Sequence, residues 1–190
     1  MTKQGRLVIV SGPSGAGKST VVSELIRTCQ LPLELSVSMT TRPPRPGEKD
    51  GVHYWFVDRE RFETDRKNDK FLECFEVFGR GIWYGTPLDP VTSGLKAGKW
   101  IILEIDVNGA QQAITKFPDA ITLFVHPASI EELERRLRAR NTEDDTAIAR
   151  RLEVARQELK AADWYDHIIV NQEVQSCVRD ICQILLSYRD

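Results

Sequence analysis

Residues 12–19 read Gly-Pro-Ser-Gly-Ala-Gly-Lys-Ser. The order Gly, four residues, Gly, Lys, Ser suits a loop that binds phosphate with its backbone. Gly12, Gly15 and Gly17 allow backbone angles that a Cβ would block, so successive N–H groups can turn inward as an anion nest. A helix starting there adds unpaired N–H groups and the positive end of its dipole. Lys18 offers a point charge for β- and γ-phosphates, and Ser19 a hydroxyl for Mg²⁺. Taken alone, the motif fits a kinase, an ATPase or a nucleotide switch.

Three further groups carry chemistry. Residues 100–105 form an apolar run that delivers Glu104 and Asp106 at its end. In a parallel sheet that end faces the ligand crevice. Glu104 suits Mg²⁺, directly or through water, and Asp106 either faces a substrate or caps the next helix. Arg42 and Arg45 sit in Thr-Thr-Arg-Pro-Pro-Arg-Pro-Gly, where prolines stiffen the loop. Two guanidinium forks with Tyr54 nearby suit a second phosphate, although a solvated basic turn has the same composition. Glu73 lies on an alternating run with Phe71 and Phe75, where an acid is costly unless donors meet it. Guanine presents N1–H and N2–H₂ side by side, and adenine does not.

The elements that must position these groups follow from periodicity. Residues 7–10 are a buried strand and 19–28 a helix with Val22, Leu25 and Ile26 on one side. Residues 33–37 and 54–57 read as strands, 59–68 as a polar helix and 71–78 as a strand. A glycine-punctuated turn spans 79–85. Thr86 then caps a helix with Pro87 at its first position. Strands at 100–105, 120–125 and 167–170 alternate with helices at 109–116, 129–140, about 145–161 and 174–188. Ser129 and Glu132 form a capping box. Residues 129–140 and the following helix carry Arg135, Arg136, Arg138, Arg140 and Arg151. They suit either surface pairs with Glu131 and Glu132 or a closing arm for phosphoryl transfer. The pattern predicts an α/β fold: a parallel sheet wrapped by helices, with a small β-rich insertion and a helical lid. The boundaries are residues 1–33, 87–126 and 163–190 for the core, 34–86 for the insertion and 127–162 for the lid.

With 190 residues, 41% hydrophobic and 28% charged, the chain is long enough for one substantial core. A net charge of −2 gives no general nucleic-acid or membrane surface. No stretch approaches membrane-spanning length and residues 1–6 lack a signal-peptide pattern. Cys29, Cys74, Cys177 and Cys182 have no metal-ligand spacing with His53, His126 or His167. They read as thiols in a reducing cytoplasm rather than disulfides or zinc ligands.

Nearly end to end, the chain resembles the guanylate kinases. The matching stretches are Ser-Gly-Pro-Ser-Gly-Ala-Gly-Lys-Ser-Thr from Ser11, Ser-Val-Ser-Met-Thr-Thr-Arg-Pro-Pro-Arg-Pro-Gly-Glu from Ser36 and Gly-Val-His-Tyr-Trp-Phe from Gly51. Phe-Leu-Glu from Phe71, Tyr-Gly-Thr from Tyr84, Leu-Glu-Ile-Asp-Val-Asn-Gly-Ala from Leu103 and Ile-Val-Asn from Ile169 complete them. The resemblance implies phosphoryl transfer from ATP to GMP with Mg²⁺ in the cytoplasm. It places guanine against Ser38, Glu73, Thr86 and Asp106, and the GMP phosphate against Arg42, Arg45, Tyr54 and Tyr84, with Glu104 beside them. ATP is implied at Gly12, Pro13, Ser14, Gly15, Ala16, Gly17, Lys18, Ser19 and Thr20, with Arg140 and with Asn171 near the adenine. Lys18, Arg42, Arg136, Arg140 and Arg151 surround the transferring group, and Ser19 with Glu104 takes the metal. Two departures stand out: Asn108 replaces the usual Gln, and the turn 79–83 is about two residues longer. Three rivals share parts of the pattern. An interaction module would lack the intact loop, a ribose-bisphosphate kinase would need no base pocket, and a switch would lack Arg42 and Arg45.

Overall fold

A computed structural model describes residues 5–77, 81–139 and 144–189, with no side-chain description of Val77. In chain order the elements are β1 (Leu7–Ser11), α1 (Lys18–Thr28), β2 (Leu33–Leu35), β3 (Met39–Thr40), β4 (Trp55–Phe56), α2 (Arg59–Lys67) and β5 (Phe71–Val77). Then follow β6 (Ile82–Pro87), α3 (Leu88–Lys96), β7 (Trp100–Glu104), α4 (Val107–Lys116) and β8 (Ile121–Pro127). The chain closes with α5 (Ile130–Ala139), α6 (Asp145–Leu159), a 3₁₀ turn (Ala162–Trp164), β9 (His167–Asn171) and α7 (Val174–Ser187).

Five strands form a parallel sheet in the order β2-β7-β1-β8-β9. Its central strand is apolar on both faces, as a sheet covered on both sides requires. Val8 and Val10 face a core with Val22 and Leu25 of α1 and Ile181 and Leu185 of α7. Leu7 and Ile9 face the opposite core with Val91, Ala110 and Tyr165. The expected wound α/β fold is therefore present. A second sheet, β4-β3-β6-β5, stands apart from it. Helices α5 and α6 have their own small core of Leu133, Leu137, Ile148, Leu152 and Ala155.

Several local expectations change. Glu34 and Leu35, assigned by sequence to the insertion, pair with Ile101 and Ile102 in the parallel sheet. The short strand β3 lies where only an irregular Pro-rich stretch was expected. Its two residues carry no periodicity, and its pairing with β4 and β6 is long-range. The expected turn at 79–85 is described only from Gly81, and Ile82 to Gly85 belong to β6, paired on both sides with β3 and β5. Residues 78–80 and 140–143 lie outside the described residues, so the length of that turn and the position of Arg140 do as well. Thr86 does not cap α3, because its hydroxyl is directed at Glu73; Pro87 occupies the cap position instead. Only half of the capping box forms. Ser129 Oγ accepts from the Glu132 N–H, while the Glu132 carboxylate turns to Arg135 and Arg136.

The cysteine reading is corrected in one pair. Cys29 and Cys182 form a disulfide, with Cα atoms 5.8 Å apart across a sequence separation of 153. Helices α1 and α7 pack side by side on one face of the sheet and bring the two sulfurs together, which no local spacing signals. Cys74 and Cys177 are free thiols.

Candidate active site

A cavity of about 600 Å³ opens at the C-terminal ends of β1 and β7 and reaches from the phosphate loop to the second sheet. Strand β1 ends at Ser11, and α1 begins at Lys18, so residues 12–17 turn between them. Gly17 has φ 92° and a Cβ there would lie 2.5 Å from Asn171 Nδ2. Only glycine satisfies both constraints. Lys18 Nζ folds back over the loop and donates to Gly12 O at 2.6 Å and Pro13 O at 3.1 Å. Gly12, Ser14, Gly15, Gly17, Lys18, Ser19 and Thr20 line the cavity. Pro13 and Ala16 are buried and brace the turn, the Ala16 N–H donating to Pro13 O at 3.0 Å.

Ser19 Oγ donates to Glu104 Oε1 at 2.5 Å, joining the start of α1 to the end of β7. These are two hard oxygen donors of the kind Mg²⁺ uses together with substrate phosphates. Among the described residues there is no group of three or more His, Cys, Asp or Glu side chains able to hold a metal by themselves.

At the other end, three hydroxyl or carboxyl groups form a chain. Thr86 Oγ1 donates to Glu73 Oε1 at 2.6 Å, and Ser38 Oγ lies 3.5 Å from Thr86 Oγ1. Glu73 is 3% exposed, and its Oε2 is buried without a hydrogen-bond partner. Burial pushes its carboxyl up to about 7, against the Thr86 hydroxyl, which pulls the other way. Helix α4 makes room for it at Gly109, where a Cβ would stand 2.9 Å from Glu73 Oε2. Asp106 does both of the things its position allowed. One oxygen caps α4, accepting from the Gly109 N–H at 2.9 Å, and the residue also lines the cavity. Burial raises its carboxyl to about 6, with backbone N–H donors and Lys18 opposing.

Between these ends lies the arginine loop. Arg42 is 8% exposed. Its Nε donates to Tyr84 OH at 2.9 Å, and its two Nη atoms grip the Glu48 carboxylate at 2.6 and 2.7 Å. The fork holds Glu48 well below the usual carboxylate range, at about 2, and raises the Arg42 guanidinium in turn. The Arg42 guanidinium also sits 5.0 Å from the centre of the Tyr54 ring. Burial pushes the Tyr54 phenol up to about 12. Arg45 is exposed at the cavity edge, and its backbone N–H donates to Glu48 Oε2 at 2.7 Å.

The arm contributes less evenly than its arginines suggested. Arg151 reaches the cavity and donates from Nη2 to Ser14 Oγ at 2.6 Å. Arg136 instead clips the outer side of the loop, with Nη1 on Ala16 O at 3.3 Å and Nη2 on Asn171 O at 3.0 Å. Asn171 is 1% exposed, and its Nδ2 donates to Ala16 O at 2.7 Å. Its side chain therefore braces the loop from behind, and neither it nor Arg136 lines the cavity.

This geometry has clear relatives. Residues 4–188 match the guanylate kinase family. The chain belongs to the guanylate kinase family. It is 55% identical over 187 residues to the guanylate kinase of Rhodopirellula baltica, covering 97% of this chain and 89% of that one. The guanylate kinase of Thermobifida fusca is 50% identical over 182 residues, covering 96% and 89%. Among solved structures, guanylate kinase from Anaplasma phagocytophilum superposes with a TM-score of 0.81 at 32% identity, covering 98% of this chain and 87% of that one.

Three residues at this family-type site escaped the sequence reading. Glu48 is the partner of Arg42, and its signal was an acid three positions after Arg45 in a proline-stiffened loop. Arg150 and Glu158 line the cavity from α6. Glu158 stands on the same helix face as Arg151, and their spacing on the predicted helix was the signal that could have found it. Asn108 is exposed at the start of α4 and does not line the cavity.

Proposed function

We propose that the cavity holds two nucleotides end to end, with ATP phosphates on residues 12–20 and GMP on the second sheet. As a member of its family the chain is an ATP:GMP phosphotransferase, giving ADP and GDP. The observation that carries the residue assignment is the pairing of two unlike sites in one cavity. The glycine-rich turn 12–17, with positive φ at Gly12, Gly15 and Gly17, stands at one end, and a buried acid with an unpartnered oxygen at the other. Glu73 and the Ser38–Thr86 hydroxyls read guanine, whose N1–H and N2–H₂ meet the carboxylate. Asp106 faces the same base. Arg42, Arg45, Tyr54 and Tyr84 hold the GMP phosphate, which competes with Glu48 for the Arg42 fork.

In the reaction an anionic oxygen of the GMP phosphate attacks the γ-phosphorus. The bond from that phosphorus to the β–γ bridging oxygen breaks, and ADP leaves with the electron pair. The nucleophile is already ionised at neutral pH, so no general base is needed and positioning with charge stabilisation does the work. Lys18 and Arg151 face the transferring group, with Arg136 holding the loop behind them. ATP-dependent kinases of this kind need a divalent metal. Mg²⁺ fits Ser19 Oγ and the Glu104 carboxylate, where it would neutralise β- and γ-oxygen charge. Residues 36–86 then act as the GMP-binding insertion and 127–162 as the closing arm over a core of 1–35, 87–126 and 163–190, Glu34 and Leu35 going to the core with their pairing in the parallel sheet. Among the described residues no helix is long and apolar enough to cross a membrane. We infer a cytoplasmic setting, where both substrates are found.

ADP release followed with GMP, AMP, CMP and UMP in parallel tests the assignment. GMP should exceed AMP by at least about 10²-fold in kcat/KM, as sites that hydrogen-bond a substrate reject analogues lacking the donors. Comparable turnover of AMP would overturn the Glu73 reading.

A further inference from the structure

Glu158, near the end of α6, has no part in the scheme above. It lines the cavity, and its Oε2 is buried without a hydrogen-bond partner. The Ser14 backbone N–H faces its carboxylate. Arg151, seven positions earlier and so on the same helix face, donates to Ser14 Oγ at 2.6 Å. Helix α6 thus meets one residue of the phosphate loop twice: Arg151 bonds its hydroxyl, and Glu158 faces its N–H.

The charges around Glu158 are mixed. Lys18 from α1 and Arg151 from its own helix favour its anion, while Asp106 before α4 opposes it. The Tyr165 phenol, after the 3₁₀ turn, is neutral and pushed up to about 12. Burial raises the Glu158 carboxyl to about 7, with Lys18 and the Ser14 N–H pulling back. A carboxylate at the rim of an anion nest competes with phosphate for the same cation and the same N–H.

We propose that Glu158 is a positioning residue that holds α6 on the empty phosphate loop through Ser14 and is repelled from it by the phosphates of a bound nucleotide, so that Arg151 leaves Ser14 for the reacting group when nucleotide is present. The inference rests on reading residues 12–20 as the ATP site. Its sign is testable. An ionised Glu158 opposes nucleotide binding and a protonated one does not, so its penalty grows as pH rises through neutrality. A purely structural Glu158 would weaken binding when removed. Here, removing its charge strengthens binding.

The experiment is calorimetric titration of the full chain with ADP in EDTA, at about pH 6 and about pH 8. Glu158→Gln should bind ADP roughly 5-fold more tightly than wild type at about pH 8, and within about 2-fold at about pH 6. Any slope common to both chains belongs to ADP, Asp106 or other shared groups. Glu158→Asp keeps the charge and should keep the weaker binding at about pH 8, which also covers a Gln variant that folds poorly. Equal or weaker ADP binding by a folded Glu158→Gln at about pH 8 overturns the inference and leaves the ATP site standing. Failure of wild type to bind ADP overturns the ATP site itself.

Discussion

In the reading proposed above, the phosphate loop and the arginine loop each take a phosphate, and the structure builds them from different materials. Residues 12–19 rely on backbone N–H groups whose direction is set by β1, the turn and α1. Lys18, the one cationic side chain there, is parked on the loop's own carbonyls. The arginine loop relies on side chains that are already engaged with one another. The Arg42 donors go to Tyr84, Glu48 and the Pro43 carbonyl. A phosphate entering the first site meets donors aimed by the fold. At the second it must share or take over donors held by Glu48. A backbone site is preorganised by chain geometry, whereas a side-chain site needs its own counter-charge to stay in shape before the substrate arrives. The strands beneath it, β3 and β4, have only two residues each, so the Arg42–Glu48 fork, the Tyr84 and Tyr54 contacts and the prolines carry much of its shape.

The largest effect should come from breaking the first site at its one cationic side chain. Lys18→Ala leaves every loop N–H in place, so ATP should still bind. What is lost is charge stabilisation at the transferring group. The kcat should fall by about 10²–10³-fold or more, with the KM for ATP changing far less. Steady-state kinetics on a variant shown to be folded by its melting transition decides it. Near-normal turnover would mean that the backbone nest carries the catalysis alone.

The next largest effect lies beyond the arginines, at the base. Glu73→Ala removes a carboxylate matched to two guanine donors, and hydrogen bonds to a charged group are worth roughly 1.5–3 kcal/mol. The donors of bound guanine are also left unpaired. The kcat/KM for GMP should drop by roughly 10²-fold, while the KM for ATP stays within a few-fold and the preference for GMP over AMP narrows. A variant that discriminates as well as wild type would show that base choice is made elsewhere.

The contrast between backbone and side-chain sites also explains what could be read from the sequence. The phosphate loop is eight consecutive residues whose backbone angles are local, so its chemistry is written in one place. Glu73 was legible because an acid on an aromatic strand has to be accounted for. Glu48 was not, because its meaning depends on a fork closing across the proline turn. Arg136 and Asn171 were read as facing nucleotide, but both hold the carbonyl side of the loop, an arrangement decided by how α5 and β9 pack. The Cys29–Cys182 link and strand β3 depend on partners far away in sequence. Periodicity recovered most helices to within a few residues. It failed at Thr86, where a residue type suited to capping serves a buried acid instead.

The smallest effect separates the two kinds of side-chain site by pH. Glu48 is held at about 2 by the Arg42 fork, so the stability it contributes is present above its unfolded value near 4.5 and is lost only as pH falls toward 2. Between pH of about 5.5 and about 7.5 it adds no slope. Glu73 has the opposite sign. Its folded value is raised from 4.5 to about 7 by burial, so in this window the folded chain holds more protons than the unfolded one, and stability falls as pH rises. Glu73→Gln keeps the shape and the acceptor for Thr86 but cannot ionise. The unfolded Glu73 is already ionised at about pH 5.5, so part of the gap between the two chains is open there, and it widens as the pH rises toward the folded value. From about pH 5.5 to about pH 7.5 the advantage of the variant should grow by on the order of 1–2 kcal/mol, at about 2–4 °C in Tm for each kcal/mol in a chain of this size. Other titrating groups are common to both chains and cancel in the difference. Calorimetric melts of the two proteins without nucleotide at both pH values measure it. If the two melt with the same pH slope, the Glu73 carboxylate is solvated or paired in the empty protein, and the site's buried, unpartnered oxygen is not what makes it select a base with two donors.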